Sequence, residues 1–335
     1  MPHASLVRVF AIAAALLCLV VVVLGAYVRL SDAGLGCPDW PGCYGHLTPA
    51  AAVADVRTAA IPLGGRSLDV GKAWREMTHR YAAGTLGLMI VALAGVGIAG
   101  RRARVVPSML LLALPMVVVL QAVLGMLTVT QQLRPVIVTL HLLFGFTTLS
   151  LLWWLVFTLQ LRPAAAGPVA MRRLALIALV VLCLQIAVGA WTSSNYAAIA
   201  CPDLPTCQGA WWPYADFRSG FVLWRSVGIN YEGGVLANAA RVAIHLTHRI
   251  GALIASLVVL VAAIAALQTG IDRSTRRAGA YVLAALALQL SIGVLMVLRG
   301  FPLGLATAHN AGAALVLLAV LALNRSLHPV KVTFP

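Results

Sequence analysis

Eight long apolar runs dominate this 335-residue sequence, and they limit the folds that it can adopt. Each run is long enough for a helix that crosses a bilayer, which takes roughly 20 apolar residues. Because 61% of the residues are apolar and only 10% are charged, no water-soluble fold could bury this much apolar surface. We therefore predict an all-α, polytopic membrane protein with eight transmembrane helices. The predicted spans are residues 8–28, 75–99, 107–129, 135–159, 173–193, 238–267, 277–298 and 303–324.

The net charge of +15 is divided unequally between the two sides of these spans. The two ends of the chain and the short loops hold twelve Lys and Arg residues and one acid, Asp272. By the positive-inside rule, which weighs short loops most, this side is cytoplasmic and the two long loops face outward. The charge therefore predicts a multi-pass protein of the cell (inner) membrane, surrounded by lipid, with both termini in the cytoplasm. It does not indicate nucleic-acid binding.

Several short motifs occur twice along the chain, in the same order. The pair Cys37 and Cys43 in the first long loop returns 164 residues later as Cys201 and Cys207 in the second. A Thr-His-Arg motif, a Gln-x3-Gly motif and a further histidine return at nearly the same offset. We predict two four-helix bundles related as a parallel repeat, residues 1–165 and 166–335, with a functional site in each half or between the halves.

Four histidines lie at repeat-equivalent places inside the apolar runs. His79 and His141 belong to the first half, and His248 and His309 to the second. Ionisable side chains in a membrane span usually have a function. Two imidazoles on separate helices suit the axial ligation of a haem in a bundle core. A zinc site, which usually takes four ligands, and simple hydrogen bonding between helices are the alternatives.

One acid lies beside a histidine in the first half alone. Glu76 precedes His79 by three residues, so the two share a helix face, and the equivalent position in the second half is His245. A carboxylate beside a haem edge can take up or deliver protons. The alternative is an ion pair with Arg75 or Arg80. His245 could be an alternative ligand to His248, a hydrogen-bond donor to a haem propionate, or a residue without a role in the site.

An arginine directly follows a candidate ligand in each half. The guanidinium groups of Arg80 and Arg249 could bind haem propionates through paired hydrogen bonds. Alternatively, these side chains reach towards the membrane interface to keep their charge in water. The sequence does not separate the two readings.

The two cysteine pairs lie in the outward loops, where an oxidising compartment permits a disulfide bond within each pair, Cys37–Cys43 and Cys201–Cys207. Their spacing is not typical of zinc sites. Each pair could be a structural clip that holds its loop over the bundle, or a redox-active dithiol.

Taken in order, these features resemble the haem A synthase family over essentially the whole chain. They comprise eight spans in two similar halves, a Glu-x-x-His-Arg motif, a second His-Arg motif, two further histidines and a Cys pair in each long loop. The resemblance implies an oxidoreductase that converts the C8 methyl group of haem O to the formyl group of haem A through a hydroxymethyl intermediate. It also implies haem b as cofactor, and it suggests a haem O synthase as partner. The electron acceptor stays unknown.

The resemblance assigns roles residue by residue. Glu76 would be the catalytic carboxylate, His79 and His141 would bind haem O, and His248 and His309 would ligate the iron of haem b. The histidines alone would equally suit a dihaem b-type electron-transfer cytochrome, and Glu76 is the residue that separates the two functions.

Overall fold

A computed structural model describes residues 2–57, 69–99, 108–159, 167–268 and 272–328. Within these ranges the chain is almost entirely helical and has no β-strand, and eight of its helices are long and apolar enough to cross a membrane. The predicted all-α, eight-span class is therefore confirmed. The helices are α1 (Pro2–Leu30), α2 (Pro49–Arg57), α3 (Val70–Ala99), α4 (Ser108–Thr130), α5 (Pro135–Thr158), α6 (Val169–Ser194), α7 (Phe217–Gly220), α8 (Asn238–Gln268), α9 (Arg273–Leu298) and α10 (Leu303–Ser326).

Several helices begin before the spans that hydropathy predicts, and the short helices α2 and α7 lie outside the predicted spans. Helix α9 starts at Arg273 because the carboxylate of Asp272 accepts a hydrogen bond from the backbone N–H of Thr275 at 2.6 Å. Such a cap satisfies an N–H that the helix leaves unpaired. Hydropathy follows only the apolar part of a helix, whereas backbone hydrogen bonding continues into the polar first turn.

The eight long helices form two rings of four. In the first, α1 and α4 each pack against α3 and α5, and in the second, α6 and α9 each pack against α8 and α10. Contacts of α5 with α6 and of both α1 and α5 with α10 join the rings. The boundary at residues 165 and 166, and the parallel relation of the halves, stay predictions. Part of the charge pattern behind the predicted orientation, including Arg101, Arg102, Arg104 and Arg162, lies outside the described residues.

Small residues line the contacts between these helices. Ala11, Ala14 and Ala15 of α1 and Ala262 and Ala263 of α8 are all buried in the main apolar core. Small side chains let helix backbones approach closely, which is the usual way that helices pack in lipid. Large apolar side chains cover the outside of the bundle instead, as in Met109, Leu112, Met116 and Leu257. This surface suits contact with lipid tails rather than with water.

The two cysteine loops lie at the same end of the bundle, which we call the loop end. There the hydroxyl of Tyr196 donates to the carboxylate of Asp32 at 3.1 Å, and Arg29 lies 3.9 Å above the Tyr196 ring. The backbone N–H of Tyr231 donates to the carbonyl of Gln132 at 3.0 Å. The second loop therefore reaches across to the first half and joins the two halves at this end.

Candidate functional site

One large cavity is lined by helices of both rings. Its volume is about 1440 Å³, which exceeds the range of typical small-molecule pockets. All four predicted histidine ligands line it, together with Glu76. Most of the remaining lining is apolar, so the cavity suits a large, flat, hydrophobic ligand.

Each of these four histidines lies against a glycine of a neighbouring helix. A Cβ atom built on any of these glycines would come within 3.0 to 3.4 Å of an imidazole Cε1, so a larger residue would push the ring aside. The repeated glycines therefore set how closely each ring approaches the next helix. The four pairs are Gly25 with His79, Gly125 with His141, Gly189 with His248, and Gly293 with His309.

The two histidines of the second half face each other. The ring centres of His248 and His309 are 6.4 Å apart, and the ring planes are inclined at 80°. Two metal–nitrogen bonds of about 2 Å each, plus roughly 1 Å from each nitrogen to its ring centre, would place the centres of two axial imidazoles about 6 Å apart. This pair therefore fits the axial ligation of a haem iron.

The donor set limits the kind of metal that this cavity could hold. The Nδ1 atoms of His79, His141 and His309 are buried without a side-chain hydrogen-bond partner, and so is that of His245, so an unpaired Nδ1 does not distinguish the ligand candidates from other histidines. Across the ranges that the structure describes, no group of three or more His, Cys, Asp or Glu side chains could hold a metal ion. The residues therefore fit two-histidine haem ligation better than a four-ligand zinc site.

Glu76 is buried at the loop end of the cavity, with 4% of its surface exposed. One carboxylate oxygen forms an ion pair with Arg80 at 2.6 Å, and the other accepts a hydrogen bond from the backbone N–H of Cys37 at 2.9 Å. Of the two arginines that could pair with it, the structure selects Arg80, since Arg75 donates to the carbonyl of Ser31. These contacts fix the carboxylate beside His79.

Arg80 and Arg249 hold the two cysteine loops through backbone carbonyls. Arg80 donates to the carbonyls of Asp39 at 2.9 Å and Gly42 at 2.5 Å. Arg249 donates to the carbonyls of Asp203 at 2.8 Å and Thr206 at 2.8 Å, and also to that of Cys201. Both arginines line the cavity, but Nη1 of Arg80 and both Nη atoms of Arg249 bind the loops. A contact of either arginine with a haem propionate stays a prediction.

Both loops have the same internal construction. The structure has disulfide bonds between Cys37 and Cys43 and between Cys201 and Cys207, and all four residues are buried. An aspartate follows the first cysteine of each pair by two residues, and its carboxylate accepts two backbone hydrogen bonds from the turn after the second cysteine. This arrangement is that of a rigid clip. A redox role for the sulfurs stays untested.

The second loop carries one aspartate with a perturbed acidity. Hydrogen bonds from the Thr206 hydroxyl, and then from the backbone N–H groups of Gly209 and Gln208, hold the pKa of Asp203 below its usual value. These bonds stabilise the charged carboxylate. The turn is therefore tightest when Asp203 is ionised.

His245, the counterpart of Glu76, is also buried, with 4% of its surface exposed. Its Nε2 lies 3.4 Å from Nε of Arg249, and its ring is 6.3 Å from that of Phe301. It is His248, not His245, whose ring faces His309. This geometry favours His248 as the ligand of the second half.

Two polar groups of this region were not predicted from the sequence. Gln185 of α6 lies 3.0 Å from Nδ1 of His248, and Arg29 of α1 donates to the carbonyl of Ser193. The available signal was a polar residue inside an apolar run, close to the repeated Gly-Ala-aromatic motif. The roles of Tyr196 and Asp32 depend on tertiary contact between the halves, so no local pattern indicates them.

The chain is similar to a known protein family along its length. The model of the cytochrome oxidase assembly protein family, COX15-CtaA, matches residues 8–321, which is nearly the whole chain. The chain belongs to this family. The resemblance inferred from the motifs is thereby confirmed.

Relatives of this COX15-CtaA family member carry the name haem A synthase. One from Shewanella oneidensis is 41% identical over 310 residues, which cover 91% of this chain and 92% of the relative. Another from Rhizorhabdus wittichii is 27% identical over 348 residues, covering 95% of this chain and 93% of the relative. A third, from Methylobacterium radiotolerans, is 28% identical over 331 residues, covering 93% and 87%. The similarity therefore extends through both halves.

Proposed function

We propose that this protein is a haem A synthase, an oxidoreductase that converts haem O to haem A. The observation that carries the proposal is a buried carboxylate, Glu76, in a cavity that also holds four histidines. A dihaem cytochrome of the b type needs the histidines but has no use for a fixed acid beside one of them. The family and the names of the similar proteins support the same activity.

The two halves bind different haems. His248 and His309 hold a resident haem b, and the distance between their rings supports this assignment. His79 and His141 bind the substrate, haem O, in the half that carries Glu76. When bound, the resident haem supplies a route for electrons removed from the substrate methyl group to an acceptor of unknown identity.

Glu76 takes the proton that the oxidised carbon loses. Arg80 and the N–H of Cys37 keep the carboxylate in place at the wall of the cavity. A general base must be within hydrogen-bond reach of its proton, and a fixed side chain meets that condition without reorganisation. The C8 methyl group is the reacting group, and a hydroxymethyl group is the intermediate.

The site lies at the outer side of the cell membrane. The cytoplasmic side carries the short basic loops and both termini, and the two cysteine loops face an oxidising compartment. Haem O enters from the lipid-facing side of the cavity, and a haem O synthase in the same membrane is the partner that delivers it.

Extraction and mass analysis of the haems bound to protein purified from cells that make haem O tests this function. We expect haem b together with haem A or its hydroxymethyl precursor. Two equivalents of haem b with no oxidised product would instead favour an electron-transfer cytochrome.

Substitution at Glu76 gives a sharper test. Glu76→Gln keeps the shape and the hydrogen bond from Cys37 but cannot accept a proton. We expect haem b to stay bound while haem A formation falls by at least about 100-fold, the usual contribution of general acid–base catalysis. Unchanged product formation would refute the catalytic role. His248→Met and His245→Met form a matched pair, since only the first should alter the haem b spectrum.

A further inference from the structure

Besides Glu76 and His245, the two halves differ at a further position beside the histidine ligands. In α6, the amide nitrogen of Gln185 lies 3.0 Å from Nδ1 of His248 and donates to the backbone carbonyl of the same residue at 2.9 Å. The equivalent position in α1, 164 residues earlier, is Val21, whose side chain has no polar atom. Nδ1 of His79 accordingly has no side-chain hydrogen-bond partner, and only the backbone of Val21 offers its ring a polar group. One candidate ligand is tethered by an amide and its counterpart is not.

A second difference accompanies the first. Gly251 follows His248 by three residues, and a Cβ atom there would collide with the amide oxygen of Gln185. The residue that follows His79 by three is Ala82. A glycine is therefore present where the glutamine needs space, and an alanine where no glutamine is present. The second half therefore has both Gln185 and Gly251, whereas the first half has neither a glutamine nor a glycine at the equivalent positions.

Elsewhere the halves keep their glutamines. Gln121 of α4 and Gln289 of α9 are repeat equivalents, and both lie beside a glycine of the following helix. A glutamine is thus lost from the first helix of the first half but kept in α4. It is not a general loss of polar side chains from the first half.

The chemistry of an imidazole ligand explains what such an amide does. When one ring nitrogen binds a metal, the other carries a proton, and the group that accepts this proton fixes the ring orientation. The amide oxygen of Gln185 is buried without a partner. Rotation of the amide about its last bond would give up the hydrogen bond to the backbone carbonyl of His248. In return it would bring the amide oxygen to Nδ1 of His248 as the acceptor of its proton, which leaves Nε2 free for iron.

We propose that Gln185 is a positioning residue that tethers His248 to a resident haem, and that Val21 leaves His79 as an exchangeable ligand. This inference rests on the proposed function, because only an enzyme with one cofactor haem and one substrate haem needs a tight site and a loose site. The resident haem stays through many turnovers, whereas the substrate haem must leave as product each time.

Haem transfer to excess apomyoglobin tests the tether without any measurement of haem A. Outer partners of metal-binding histidines typically change affinity by about 10–100-fold, so Gln185→Leu should release haem b faster by this factor. Gln185→Glu keeps an acceptor for the Nδ1 proton, so it should restore slow release. Its negative charge should also lower the reduction potential of the haem. A glutamine with only a structural role would not give fast release in Gln185→Leu together with slow release and a lowered reduction potential in Gln185→Glu.

Gln121→Leu is the matched control, since it removes a partly buried glutamine from the half that lacks the resident haem. We expect its haem b release to equal that of the unaltered protein. If Gln185→Leu does not fold, Gly251→Ala should also speed the release of haem b, because it displaces the same amide. Release of haem b that is unchanged in the folded variant, or equally fast in Gln185→Leu and Gln185→Glu, would overturn the proposal.

The reciprocal variant transfers the tether to the first half. Val21→Gln combined with Ala82→Gly should slow the release of haem O or haem A from the first half by a similar factor. An unchanged release rate would show that the asymmetry does not control exchange. Absence of haem A from the unaltered protein would refute the proposed activity instead, so the two failures are distinguishable.

Discussion

Arg80 is the residue whose replacement should open the first cysteine loop. Both Cys37 and Cys43 are fully buried, so a reductant reaches their disulfide only when the loop lifts away from the bundle. Arg80 holds the loop down through the carbonyls of Asp39 and Gly42. Arg80→Met keeps the length and apolar stem of the side chain but removes all of these donors.

The size of the effect follows from the contacts. A hydrogen bond to a charged group contributes about 1.5–3 kcal/mol, so the two carbonyl contacts together contribute at least about 3 kcal/mol. Since about 1.4 kcal/mol corresponds to a factor of ten, the open fraction of the loop should rise about 100-fold. Loss of the 2.6 Å ion pair leaves the carboxylate of Glu76 buried and unpaired, which raises the open fraction further.

The assay is the rate of disulfide reduction in detergent micelles, with alkylation of the new thiols and peptide mass analysis. The Cys37–Cys43 bond should be reduced about 100-fold faster in Arg80→Met, while Cys201–Cys207 in the same molecules keeps its rate as an internal control. Arg249→Met should show the reverse. A change of only a few fold in the first bond would refute the clamping role, and equal acceleration of both bonds would indicate general unfolding.

Further predictions concern the ligands, the second loop and the interface between the halves. Gly189→Ala would place a Cβ atom 3.1 Å from Cε1 of His248, so we expect a displaced ring, weaker haem retention and an altered optical spectrum in the purified protein. Hydrogen bonds lower the pKa of Asp203 in the folded protein. The ionised carboxylate therefore stabilises the second loop above the unfolded-state pKa of about 3.9, and this stabilisation is lost as the pH falls through the folded-state pKa. Reduction of the second disulfide by a phosphine should therefore accelerate at acid pH, and Asp203→Asn should remove this pH dependence. Arg29→Gln loses the contact with the Tyr196 ring and should lower the unfolding temperature, whereas an unchanged temperature would show that this contact does not hold the halves together.

The membrane spans and the main site residues could be predicted from the sequence, and the reason is physical. A membrane helix depends on the mean polarity of about 20 consecutive residues, which is a local property. His79 and Glu76 stand out because ionisable groups are rare in such runs, and the duplication shows each histidine twice. Helix starts were less predictable, because Asp272 and similar capping groups act through a hydrogen bond that hydropathy does not register.

The sequence by itself determined the class of the protein, the number of its membrane helices and the identity of its ligand candidates. Only the tertiary structure decided that Arg80 binds both Glu76 and the first loop, that His248 faces His309, and that Gln185 tethers one imidazole. The contacts of Arg80 with the loop, of His248 with His309 and of Gln185 with His248 join residues about forty to more than sixty positions apart, and they depend on which parts of the fold meet. Helix packing decides which parts meet, and no local pattern of polarity records it.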